Sequence, residues 1–208
     1  MKQNLLFLAV SIFSVAVMNA QISKGSILLG GNIGFSDSKD KNNSDIKLNS
    51  VSLSPAIGVA VEQNAIVGIQ ISYGHSKNNL AASPQYETTS YGLEFFLRKY
   101  KSLGKGFYFF WQSGLFYNSY EYRELNTSNE YKEEQRNAGI DLYPGISYAL
   151  AKRFQLEISL VDLLTLEYTK DKATNAGVVT GDRNGVDFNV AASSLSNVNI
   201  GFRFLLAK

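Results

Sequence analysis

Between Ser50 and Ser72 the chain alternates apolar and small residues in two runs, broken only by Glu62-Gln63-Asn64. In the first run Val51, Leu53, Pro55, Ile57, Val59 and Val61 alternate with Ser52, Ser54, Ala56, Gly58 and Ala60. In the second, Val67, Ile69, Ile71 and Tyr73 alternate with Gly68, Gln70, Ser72 and Gly74. A period of two places the sets on opposite faces of a strand, whereas a helix would scatter them around its surface. The stretch reads as a β-hairpin with a tight turn, apolar on one face and small or polar on the other.

The pattern recurs along the chain, in Ser26–Phe35, Thr88–Tyr100, Phe107–Asn118, Ala138–Leu150, Arg153–Tyr168 and a closing run ending Val198, Ile200, Phe202, Phe204, Leu206. That makes eight strands. Polar loops at Ser36–Asp45, Ser76–Gln85, Ser119–Arg136 and Thr169–Phe188 alternate with breaks at Glu62–Asn64, Lys101–Lys105 and Ala151-Lys152. An even number of antiparallel strands joined by strictly alternating long and short connections predicts an all-β, eight-stranded up-and-down transmembrane barrel. Both ends of the chain then lie on the tight-turn side. Three irregularities stand out. Asp162 breaks the alternation of the seventh strand, which predicts a bulge. Pro55 and Pro144 sit inside strands, where proline cannot donate to the ladder. Their surroundings, SPAIGVAV and YPGISYAL, echo one another.

The apolar face could point outward to lipid, or inward as in a soluble lipocalin-like barrel. A soluble barrel needs charge on its outer strand faces, but here the second face is mostly Ser, Gly, Ala and Asn, and charge gathers in the long loops. Aromatics on the apolar face sort by depth. Phe35, Tyr73, Tyr91, Tyr117 and Tyr168 lie toward the long loops; Phe107, Tyr148, Phe154 and Phe204 lie toward the tight turns. Two aromatic girdles are expected at two membrane interfaces. Met1–Ala20 has one Lys before an apolar core and small residues after it, which reads as a secretory signal peptide with the barrel domain spanning 21–208. With no Cys, disulfides, thiolate metal sites and a Cys nucleophile are excluded. A formal net charge of +2 makes no electrostatic case for nucleic acid.

The segments SPAIGVAV, AIVGIQISY (Ala65–Tyr73), FFLRKY (Phe95–Tyr100), YPGISYAL and NIGFRF (Asn199–Phe204) carry a family resemblance. Across the mature chain, the sequence resembles the small outer-membrane β-barrel proteins of Bacteroidota-type bacteria, related in architecture to the OmpX and OmpA barrels. The resemblance implies a bacterial outer-membrane location, contact with outer-membrane lipid and lipopolysaccharide, and handling by the barrel-insertion machinery. Phe204 suits the terminal aromatic that such machinery reads, although Leu205–Lys208 follow it.

Parity places Gln70, Glu94, Arg98, Gln112, Asp141, Arg153, Glu157 and Arg203 inside the barrel. Enclosed charges must pair, so these residues are expected to form a lumen network that fills the barrel or gates a narrow, porin-like pore. His75, the only histidine, precedes Ser76 at the outer end of the third strand, and parity turns it outward. A His-Ser pair there raises a lipid A-modifying enzyme as a further alternative. Asp182–Asp187 resembles a calcium loop but lacks the closing acid, so it reads as a polar turn. The third loop mixes Tyr120, Tyr122, Tyr131, Glu124, Glu133 and Glu134 with Arg123 and Lys132, a composition suited either to recognition or to plain solvation. The expectation is a non-enzymatic outer-membrane protein, structural or binding an extracellular ligand through its loops, with no cofactor or metal.

Overall fold

A computed structural model describes residues 22–39, 47–79, 85–125, 131–160, 163–190 and 198–206. The signal segment Met1–Ala20, Pro84 and Asp162 lie outside the described residues. The strands are β1 (Ile27–Lys39), β2 (Lys47–Glu62), β3 (Ala65–Asn79), β4 (Gln85–Gly104), β5 (Phe107–Leu125), β6 (Tyr131–Ala151), β7 (Phe154–Leu160), β8 (Leu164–Asn175), β9 (Val178–Val190) and β10 (Val198–Leu206). Each of β1 to β5 pairs antiparallel with the next. Both β7 and β8 lie along β6, as two halves of one barrel strand. In turn β9 pairs with β8 and β10 with β7. The segment β10 then meets β1 from Ile27↔Leu206 to Asn32↔Gly201, closing the eight-stranded antiparallel barrel that the alternation predicts.

The tight turns form where left-handed backbone is available. Asn64 (φ 61°), Lys105 (φ 50°) and Gly106 (φ 82°) supply it between β2 and β3 and between β4 and β5. Positive φ at the turn matches the twist of the flanking strands.

The polar segments expected as long loops are shorter than their composition suggests. The ladder of β5 and β6 continues through Arg123↔Lys132. Thr169–Phe188 is a hairpin, with β8 and β9 joined by Ala176 (φ 48°) and Gly177 (φ 80°). Hydrophobic periodicity is silent in such strands, because both faces are polar and neither alternates with an apolar partner.

The break between β7 and β8 lies opposite the proline at 144. Along β6 the register passes from Gly145↔Ser159 to Leu142↔Leu164. Tyr143 and Pro144 therefore have no ladder partner on that side among the described residues, and β7 and β8 are registered on β6 as separate segments. Pro144 sits where the ladder on that side is already broken, and its missing N–H costs nothing. Pro55 follows the same logic: β2 passes from Leu53↔Tyr73 to Ala56↔Gln70, leaving Ser54 and Pro55 unpaired on the β3 side.

The apolar face points out. Ile57 is 54% exposed and Leu115 59%, whereas Ile66 and Gln112 on the other face are at 0%. A soluble barrel with its apolar face inward is thereby excluded. The outward aromatics form two rims. At one, the Tyr73 and Tyr91 rings are 5.5 Å apart, with Tyr117 and Tyr168 further round. At the other, Phe107 packs on Tyr148 at 4.5 Å and Phe154 on Phe204 at 4.8 Å. Phe35 is exposed beyond the first rim.

Toward the tight-turn end the lumen holds an apolar cluster, with Ser147 and Gln155 buried at the same end. Inward Leu28, Ile66, Phe96, Tyr108 and Phe110 gather around Ile22. Asn64 clamps that residue: Ile22 N donates to Asn64 Oδ1 at 3.1 Å, and Asn64 N donates to Ile22 O at 3.0 Å. The segment before β1 thus folds under the mouth of the barrel.

An Ile57→Arg substitution puts a charge in the middle of the outward belt and should destabilise the bilayer-inserted barrel by about 2–4 kcal/mol. Urea titration after folding into lipid vesicles measures this, with Ile57→Leu as the volume-conserving control. An unchanged midpoint would mean that the belt does not meet lipid.

Candidate functional site

Interleaved with the apolar cluster, a chain of polar side chains crosses the lumen. Gln70 Nε2 donates to Glu94 Oε2 at 3.4 Å, and Gln112 Nε2 donates to Glu94 Oε1 at 2.6 Å. Arg98 Nε donates to Gln112 Oε1 at 2.7 Å, while its Nη1 meets Glu157 Oε2 at 2.7 Å. Glu157 is the hub, also accepting from Tyr100 O–H at 2.9 Å and pairing with Arg203 Nε at 3.2 Å. Arg203 continues to β1, donating to Gly31 O at 2.8 Å and Asn32 Oδ1 at 3.1 Å. The Arg98 guanidinium stacks over the Phe110 ring, 4.5 Å from its centroid.

The two guanidiniums and two carboxylates of this chain balance. Arg98, Glu157 and Arg203 are each only 2% exposed. Such burial is tolerable because each ion has both a counter-charge and further hydrogen bonds.

Of the lumen residues expected from parity, Gln70, Glu94, Arg98, Gln112, Glu157 and Arg203 come together. Asp141 lies beside Gly114 and Glu94 on the same wall, half-buried. Arg153 does not join them. It sits in the two-residue turn before β7 and is exposed, since parity lapses once the chain leaves the ladder. Sequence reasoning passed over Tyr100, Asn32 and Gln155, although parity places all three inside. Gln155 is buried and accepts from Ser147 O–H at 3.0 Å.

His75 faces outward beside Thr89 (Nδ1 to Oγ1, 3.4 Å) and Glu87 (Nε2 to Oε1, 3.4 Å). An acid partner is therefore present. Ser76, however, lies on the opposite face of β3, as successive strand residues must. The His-Ser pairing that suggested catalysis is not formed. Asp182–Asp187 lies within β9 and wraps nothing, so the expected polar turn is strand.

Past the aromatic rim, β4, β5 and β6 continue as a protruding sheet whose faces differ. Outside, Lys132 Nζ lies 2.9 Å from both Glu121 Oε2 and Glu134 Oε1. Arg123 pairs with Glu121, and Arg136 with Glu134 at 3.2 Å. Hydrogen bonds from Lys132 hold both carboxyls below the usual carboxylate range. The inner face carries Tyr86, Tyr120, Tyr122, Tyr131, Glu124 and Glu133 around a cavity of about 630 Å³. Tyr86 and Tyr122 stack at 5.1 Å, and Tyr131 O–H donates to Glu133 Oε2 at 3.2 Å.

No protein-family model matches the chain. No curated protein matches it either. Among solved structures it is similar to a major outer membrane protein from Thermus thermophilus, with a TM-score of 0.49 and 9% identity over 88% of this chain and 99% of that one. A likeness of that size carries no functional conclusion.

Replacing Glu157 by Ala strands two buried guanidiniums and should cost about 3–5 kcal/mol. The urea midpoint in vesicles reads this, and adding Arg98→Met should restore part of the loss. For the protruding sheet the expected variable is pH. Depressed carboxyl pKa values give stability that is present above the ordinary carboxylate pKa and lost as pH falls through the folded values. Protease cutting of the β5–β6 extension should therefore rise on acidification in the wild type. In Lys132→Gln it should start higher and change less. Identical pH profiles would show that Lys132 contributes nothing there.

Proposed function

We propose that this chain is a non-enzymatic protein of the bacterial outer membrane, with a lumen that does not conduct and a protruding sheet that binds ligands outside the cell. The lumen chain from Gln70 to Asn32, centred on Glu157, is the observation that carries the non-conducting part. It joins β3, β4, β5, β7, β10 and β1 across the interior, interleaved with the apolar cluster that holds Ile22. An eight-stranded barrel is only wide enough for side chains to fill it, and here the interior side chains are bonded to each other. The membrane part rests on the exposed apolar belt and its two aromatic rims. In a bilayer such a belt is the solvated face, and a closed barrel satisfies its backbone internally. Outer-membrane lipid and lipopolysaccharide are the expected neighbours of the belt, and the barrel-insertion machinery its route into the membrane.

A narrow gated pore is the competing outcome, and conductance separates the two. Purified protein in planar bilayers should show no stepwise openings. Resolved single-channel steps from the wild type would establish the pore instead. Glu157→Ala and Arg203→Ala, run beside it, report whether breaking the chain opens a path.

A further inference from the structure

We infer that the inner wall of the protruding sheet is a binding site for a small organic ammonium ion. This rests on the surface-binding reading above and names its ligand class.

The wall is built by the inward positions of three neighbouring strands. Tyr86 lies opposite Glu124 across β4 and β5, and Tyr122 opposite Glu133 across β5 and β6. Its cavity of about 630 Å³ is the size that small-molecule sites commonly have. A bare metal ion would need clustered hard ligands, and no group of three acidic or histidine side chains occurs among the described residues.

Strand alternation has sorted the charge. The nearby bases Arg123, Lys132 and Arg136 are on the outer face and are engaged by Glu121 and Glu134. On the inner face Glu124 and Glu133 have no ion pair among the described residues, and no Lys or Arg lines the cavity. Arg183 on β9 is close enough to act on Tyr131, yet it pairs with neither carboxylate. Two half-buried carboxylates beside four tyrosine rings are stabilised by a cation that enters between them. The ring faces attract the same sign of charge, and they favour a large, weakly hydrated ammonium over a compact ion. Partial burial and Glu133 hold the Tyr131 hydroxyl above its ordinary pKa, so the phenol stays neutral and keeps donating to that carboxylate. An anion would be repelled by this wall, and a neutral ligand would gain nothing from its charge.

Choline is a suitable probe, and its uncharged carbon isostere 3,3-dimethylbutan-1-ol is the control. Calorimetric titration of the full-length protein in detergent micelles should show saturable choline binding, with the isostere roughly tenfold weaker or worse. Glu133→Gln and Tyr122→Leu should each weaken choline by about tenfold. Arg123→Gln, on the outer face at the same height, should leave it unchanged. If Tyr122→Leu does not fold, as judged by heat-modifiable gel migration, the near-isosteric Glu133→Gln decides. Absence of saturable choline binding by folded wild type overturns the inference, as does equal binding of the isostere or wild-type affinity in Glu133→Gln. Conductance of the same preparation keeps the two readings apart. A silent barrel that ignores choline refutes only the ligand, whereas an open one refutes the reading beneath it.

Discussion

The six residue pairs between β1 and β10 turn a sheet into a barrel, and the rest of the molecule depends on that closure. An open sheet of this composition would expose a backbone edge and an apolar face together. Closure removes the edge in the lower barrel and divides the side chains into an outer and an inner set. The inner set must fit a narrow space. Hence Gly68 and Gly145 lie where Phe96 and Phe110 cross the lumen, and a Cβ at either glycine would collide with the ring. The outer set is free to be large, and it is.

A hierarchy of environments runs along the barrel axis. At the tight-turn end Ile22 and its neighbours make an ordinary apolar core. Beside and above it, ions are buried but mutually neutralised, with Glu157 accepting from Arg98 and Tyr100 and paired with the Arg203 guanidinium. Beyond the upper aromatic rim the strands emerge, and alternation sorts charge instead of hydrophobicity. Bases and their carboxylate partners lie outside, tyrosines and carboxylates without an ion pair among the described residues inside. The same period of two produces three different chemistries because its surroundings change from packed interior to open vestibule.

Strand number, connection order and the direction of the apolar face were legible because Ile57 and Gly58, or Ile69 and Gly68, differ so sharply in size and polarity. Most of the lumen chain was legible for the same reason. What was not legible depended on register. Pro144 and the break between β7 and β8 look unrelated in sequence, and only pairing with β6 sets them opposite one another. Arg153 has inward parity but falls in a turn, where parity has no meaning. The residues of the tyrosine wall were legible as a loop composition, but not their gathering on one face, because strands polar on both faces resemble loops. In the sequence an inward Tyr100 reads as packing, whereas its hydroxyl donates to Glu157 beside Arg98.

Trp111 tests the orientation of the whole structure most directly. It is the only tryptophan, it lies on the outward face between the rims, and it is 38% exposed. In protein folded into vesicles, its fluorescence should be blue-shifted, quenched by brominated phospholipid and untouched by aqueous iodide. Quenching by iodide without effect from brominated lipid would place the apolar face in water and contradict the membrane-spanning barrel.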